Sequence, residues 1–122
     1  MYRATGDKEY LTFARGIADK VLASTSLIQH DGILTEWCEG DAAGCNGDQQ
    51  IFKGIFARFL ADLDSCLDGN PYRGFLETNA RRAHAADRDS GTNLHDVCWA
   101  GPYAASSLAK QASVLSLWVA LI

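Results

Sequence analysis

An all-α domain is the expectation, and three observations set it. Residues 48–67 carry apolar side chains at Ile51, Phe52, Ile55, Phe56, Phe59, Leu60 and Leu63, the recurrence of a helix with one broad buried face. The same period recurs over residues 8–25, 71–87 and 104–121. A weak internal repeat accompanies it. Gly6-Asp7 precedes Tyr10 and Phe13, and Gly69-Asn70 precedes Tyr72 and Phe75, as in stacked helical hairpins.

Met1 to Ala4 reads as the last turn of a helix. Thr5-Gly6-Asp7 ends it and starts the next, glycine suiting a left-handed C-cap and aspartate an N-cap. The second helix covers about 8–25, with Tyr10, Leu11, Ala14, Ile17, Ala18, Val21 and Leu22 on its face. A long glycine-rich connection, 29–48, follows, with a short extended segment over Ile33-Leu34-Thr35-Glu36-Trp37. Connections of this length usually carry a function or a covalent tie. The third helix covers 48–67 and ends in the turn Asp68-Gly69-Asn70-Pro71. The fourth, 71–87, turns Tyr72, Phe75, Leu76, Ala80 and Ala83 inward. A second irregular loop, 88–103, contains Trp99-Ala100-Gly101-Pro102-Tyr103. The last helix, 104–121, is apolar at Leu108, Ala112, Leu115, Leu117, Trp118 and Leu121, with Trp118 expected in the core.

Composition narrows the function. The chain has 122 residues, 48% of them hydrophobic and 21% charged, with a net charge of −4. That is one domain of ordinary globular composition. Arg81-Arg82 is the densest basic cluster, which gives nucleic-acid binding no support. No stretch is long and apolar enough to span a membrane. Four cysteines in a short chain point to an oxidising compartment. Cys38 and Cys45 bracket a flexible Glu-Gly-Asp-Ala-Ala-Gly loop and are expected to form a disulfide. Zinc is the rival, weakened by the seven-residue step and by scattered histidines at 30, 84 and 95. Cys66 and Cys98 either pair or stay as thiols. No metal or other cofactor is expected. The Met1 end, Met-Tyr-Arg-Ala-Thr-Gly, has no signal-peptide character, which sits badly with disulfide cysteines unless the natural start lies upstream.

Gly54 and Lys53 stand out within the third helix. An interior glycine costs about 1 kcal/mol relative to alanine, which implies a close approach by another backbone or a ligand. Lys53 lies among large apolar residues and is expected to be partly buried.

The stretch Phe52-Lys53-Gly54-Ile55-Phe56 resembles a signature of glycoside hydrolase family 76, the endo-α-1,6-mannanases. The resemblance extends upstream through Ile33-Leu34-Thr35-Glu36-Trp37-Cys38-Glu39 and Cys45-Asn46-Gly47-Asp48-Gln49. Downstream it takes in Trp99-Ala100-Gly101-Pro102-Tyr103 and Gln111-Ala112-Ser113-Val114-Leu115. It implies a partial (α/α)6 barrel, with residues 1–122 as the C-terminal portion of one such domain. It also implies an extracellular or cell-wall setting for the intact protein and mannan as partner. The family's catalytic residues are two consecutive aspartates in an N-terminal, aromatic-rich segment. None of the aspartates here are adjacent, so no catalytic residue carries over, and little or no catalysis is expected of this chain alone.

Glycoside hydrolysis generally needs two flanking carboxyl groups, and this chain is expected to supply one wall of the cleft that holds them. The candidate substrate-binding residues are Trp37, Asp48, Gln50, Phe52, Lys53 and Trp99. Asp48 either accepts from sugar hydroxyls or caps the third helix. Gln50 offers a donor and an acceptor, or is a solvated first-turn residue. Lys53 either bonds a sugar or an acidic cleft residue, or forms a structural salt bridge with Glu36 or Glu39. Phe52 is a stacking wall or core packing. Trp37 and Trp99, on loops, are the better platforms for a pyranose ring. Two other functions compete: a non-catalytic glycan-binding module and a helical-repeat protein-interaction module. Uncovered apolar helix faces are expected to give self-association or marginal stability.

Overall fold

Five helices and one short hairpin make up the chain, and the computed structural model describes all 122 residues. The helices are α1 (Tyr2–Thr5), α2 (Glu9–Leu22), α3 (Gln49–Asp64), α4 (Arg73–Ala86) and α5 (Leu108–Val119). Strands β1 (Ile28–Gln29) and β2 (Ile33–Leu34) pair antiparallel with Ile28 opposite Leu34. A 3-10 turn covers Trp37–Gly40.

Helix α3 is the centre, and α5 lies directly against it in the same direction. Near both N-termini Ser107 Oγ donates to Gln50 Oε1 (2.6 Å). One turn on, Gly54 N donates to Ser113 Oγ (3.0 Å). A Cβ on Gly54 would fall 2.5 Å from Ser113 Cα, inside the roughly 3.5–4.0 Å at which carbons pack. The close approach foreseen at Gly54 is therefore between two helix backbones. Antiparallel α4 closes the layer. Asp64, at the end of α3, takes the Tyr72 N–H on Oδ1 (2.7 Å), and Arg73 Nη2 donates to Leu121 O (2.7 Å) beyond α5. The core gathers around Leu60, Leu76, Ala83, Trp99, Val114 and Leu117. The inward face expected for α4 holds: Tyr72, Leu76 and Ala83 are buried, and Phe75 and Ala80 partly so.

Buried Asn79 fastens the hairpin to α4. Its Oδ1 accepts from Leu34 N (2.8 Å), and its Nδ2 donates to Gly32 O (3.2 Å) and Phe75 O (2.9 Å). The hairpin turn puts His30, Asp31 and Gly32 all at positive φ. Gly6 caps α1 in the left-handed region, and Glu9 N donates to Asp7 Oδ1 (2.9 Å), so both expected caps form.

Several expectations need correction. Helix α5 begins at Leu108 rather than Ala104. The N–H groups of Ala104 and Ala105 both donate to Asp96 Oδ2 (3.1 Å each), which keeps that segment out of the helix. Ser107 then caps the helix by accepting from Lys110 N (3.3 Å). Leu108 is consequently 90% exposed, and Leu115 is exposed as well. Trp118 lies at the rim instead of in the core, its ring edge-on to His95 at 5.5 Å between centroids. The expected face of α2 is covered only in part: Ala18 is buried and Leu11, Ala14, Val21 and Leu22 are half-buried, while Tyr10 and Ile17 are exposed. On α3 the most deeply buried line is Lys53, Gly54, Ala57, Leu60 and Asp64, while Phe52, Ile55 and Phe59 are exposed. An apolar groove of about 200 Å³ between α2 and α3, lined by Ile17, Phe56 and Phe59, is the result.

Candidate functional site

Both long loops converge on the N-terminal end of α3. Residues 29–48 arrive through the hairpin, the 3-10 turn and a disulfide, Cys38–Cys45. The bridge forms as expected and removes zinc as a partner for these sulfurs. No cluster of three or more His, Cys, Asp or Glu side chains is placed to hold a metal ion. Cys66 and Cys98 remain thiols. They cannot meet, because Cys98 lies by Lys53 near the start of α3, whereas Cys66 follows its end, roughly 20 Å along the axis at 1.5 Å per residue.

Lys53 is the hub of this end. It is 3% exposed, and its Nζ donates to Glu39 Oε1 (2.6 Å) and to Leu34 O (3.1 Å). The same ammonium lies 4.5 Å from the centre of the Trp99 ring, within the range of a cation–π contact. Burial pulls the lysine below its ordinary pKa, and Glu39 works in the opposite sense. Of the two readings of Lys53, the structural ion pair with Glu39 is the one found; the ammonium has no open path to a ligand. Glu39 Oε1 also accepts from Glu36 N (2.7 Å), which closes the N-terminus of the 3-10 turn. Burial also raises Glu36, against the pull of Lys53.

The structure redistributes the other candidates. Trp99 is 1% exposed, packed on Lys53 in the core, and is no stacking platform. Gln50 is spent at both ends: Nε2 donates to Cys45 O (2.8 Å), and Oε1 accepts from Ser107. It braces the disulfide loop against the start of α5. Asp48 does not cap α3. Asn46 Oδ1 takes the N–H groups of Asp48 (3.1 Å) and Gln49 (3.0 Å), and Gln49 Oε1 returns the bond to Asn46 N (2.8 Å), a reciprocal cap. Asp48 is thereby exposed with its carboxylate unengaged. Phe52 is 48% exposed, four residues on from Asp48 and so on the same face of α3. Trp37 is 66% exposed at the start of the 3-10 turn. Trp37, Asp48 and Phe52 are thus the candidates presented to solvent at this end.

Behind them lies a second polar cluster that sequence patterns did not single out. Asp87 is fully buried at the end of α4, and its Oδ1 accepts from Asp96 N (3.0 Å). Its Oδ2 has no hydrogen-bond partner and faces the likewise unpaired Nδ1 of buried His95 at 3.7 Å. Burial pushes Asp87 up to about 7 and lowers His95. For Asp96 burial acts upward, but hydrogen bonds from Lys110 and from backbone N–H groups outweigh it and hold the carboxyl below its usual range. Burial, reinforced by Glu39, raises the Cys98 thiol to about 11, which keeps it neutral. An aspartate at the end of a helix, ahead of a long loop, was the available signal for Asp87. Glu39, three residues beyond Glu36, was the signal for the capping box.

A stack of helical hairpins with two long loops gathered at one end is the architecture of a partial (α/α)6 barrel of the glycosidase type. The model of glycosyl hydrolase family 76 matches residues 1–122, and the chain belongs to that family. It is similar to the α-1,6-mannanase of Salegentibacter sp. HEL1_6, at 28% identity and a TM-score of 0.82 over 98% of this chain and 35% of that one. Two inactive variants of that mannanase, each altered at two consecutive aspartates, match comparably. One was solved with α-1,6-mannotriose (27% identity, TM-score 0.81), the other with α-1,6-mannotetrose (28%, 0.80), over 98% of this chain and 35% and 34% of theirs. The chain therefore spans about a third of the length of these structures. No curated protein gives a significant match.

Proposed function

We propose that this chain forms one wall of the glycan-binding cleft of an α-1,6-mannan glycosidase, acting by hydrolysis or transglycosylation. The observation that carries the reading is the disulfide-closed turn at the N-terminal end of α3, with Trp37 held open to solvent beside the first turns of that helix. An exposed indole on a braced loop offers a flat apolar face to a pyranose ring, while the Asp48 carboxylate, exposed at the start of α3, accepts from sugar hydroxyls. Family membership and likeness to a mannanase solved with α-1,6-mannotriose support this ligand class. Residues 1–122 then constitute part of a single (α/α)6 domain. The acid and nucleophile lie elsewhere in that domain, because this chain has no adjacent aspartates. The Cys38–Cys45 bridge supports an oxidising, extracellular or cell-wall setting.

The test is isothermal titration of the chain with α-1,6-mannotriose, with an α-1,4-linked glucan trimer as control, beside a reducing-sugar assay on α-1,6-mannan. Binding of the mannotriose alone, without turnover, is the expected result. No heat with either sugar would refute the reading.

A further inference from the structure

We propose that Lys53 is a positioning residue for the sugar surface, acting on Trp37 through Glu39 without touching the glycan. The proposal rests on the reading of Trp37 as a glycan platform. Lys53 joins three chain segments to α3 at a single buried nitrogen: β2 through Leu34 O, the 3-10 turn through Glu39, and the 88–103 loop through the Trp99 ring. Glu39 is the link outward. The carboxylate oxygen that accepts the hydrogen bond of Lys53 Nζ also accepts from Glu36 N, fixing the backbone immediately before Trp37. Cys38, immediately after Trp37, is buried and tied to Cys45. Trp37 is therefore held from both flanks while its own side chain stays largely in solvent. A platform of this kind gains affinity by being ordered before the ligand arrives, and the Lys53–Glu39 pair supplies half of that order.

The paired charges also explain why single substitution is a poor test. Removing Lys53 alone leaves Glu39 buried without its counter-ion, which endangers the fold. The double variant K53M/E39Q avoids this. Methionine keeps the length of the lysine stem, and the glutamine oxygen still accepts from Glu36 N. Its stability is read by thermal melting. The position of Trp37 is read by 19F spectra of the chain labelled with 5-fluorotryptophan, Trp37 assigned by W37F and Trp118 serving as internal reference. Affinity for α-1,6-mannotriose is read by titration.

The expected result is a folded K53M/E39Q whose Trp37 resonance is shifted or broadened and whose affinity falls about tenfold. An unmoved Trp37 resonance overturns the proposal, with or without a loss of affinity. A moved resonance with affinity within twofold of the parent overturns it equally. If the parent chain itself does not bind mannotriose, the glycan reading fails, and the Trp37 resonance alone then decides whether Lys53 positions the turn.

Discussion

Gly54→Ala is the perturbation whose outcome the packing of α3 on α5 determines most sharply. The new Cβ would lie 2.5 Å from both Ser113 Cα and Ser113 O, and 2.9 Å from Ser113 C. These are backbone atoms, so no side-chain rotation relieves the overlap, and the helices must part by about 1 Å to restore ordinary contact. Overpacking of this kind costs about 1–3 kcal/mol. Loss of the Gly54 N–Ser113 Oγ bond adds about 1 kcal/mol. Against this stands a gain of about 1 kcal/mol from alanine's helix propensity. The net is a loss of about 1–3 kcal/mol, or roughly 5–15 °C in Tm for a domain of this size. Gly16→Ala is the control, because nothing lies within 4 Å of its added Cβ and the site is exposed. Urea denaturation followed by circular dichroism should place G16A at or above the parent and G54A well below it. A G54A protein as stable as G16A would refute the claim that glycine is needed for the two backbones to meet.

Asp87 should give stability a pH dependence. Its carboxyl is raised to about 7 by burial, so its contribution is complete below about pH 4 and is lost as pH rises through about 7. His95, lowered by burial, opposes this, its contribution being lost as pH falls through its depressed value. D87N keeps the acceptor for Asp96 N and should be more stable than the parent at pH 8 by on the order of 2 kcal/mol, with a flatter profile; coincident profiles would count against a buried charge there. Replacing both Cys38 and Cys45 by alanine opens a short loop and should cost about 2 kcal/mol in chemical denaturation, while leaving far-UV helicity intact. The open α2–α3 groove should drive concentration-dependent association, seen by light scattering and reduced in I17E/F59E; a monomer at all concentrations would contradict it.

Helix positions were legible because they rest on local periodicity, as was the close approach at Gly54. The Cys38–Cys45 bridge was legible from its short loop. What escaped was set by contacts distant in sequence. Trp99 lies on a loop, as read, yet is buried because Lys53, 46 positions earlier, offers its ammonium to the ring face. Gln50 looked like a free first-turn amide, but Ser107 and Cys45 consume both its ends. Asp48 lost its cap role to Asn46, two residues upstream, because the reciprocal partner is Gln49. The late start of α5 depends on Asp96 capturing two N–H groups that helical periodicity would assign to the helix. Of the six substrate-binding candidates, the structure leaves three facing solvent, a division that no periodicity encodes.

The most direct test of the central claim is a 15N-HSQC titration of the chain with α-1,6-mannotriose. The account predicts saturable shifts at residues 36–40 and 48–52, with Trp37 the most affected, and none along the α2–α3 groove at Ile17 and Phe59. Shifts confined to that groove, or no shifts at all, would contradict it.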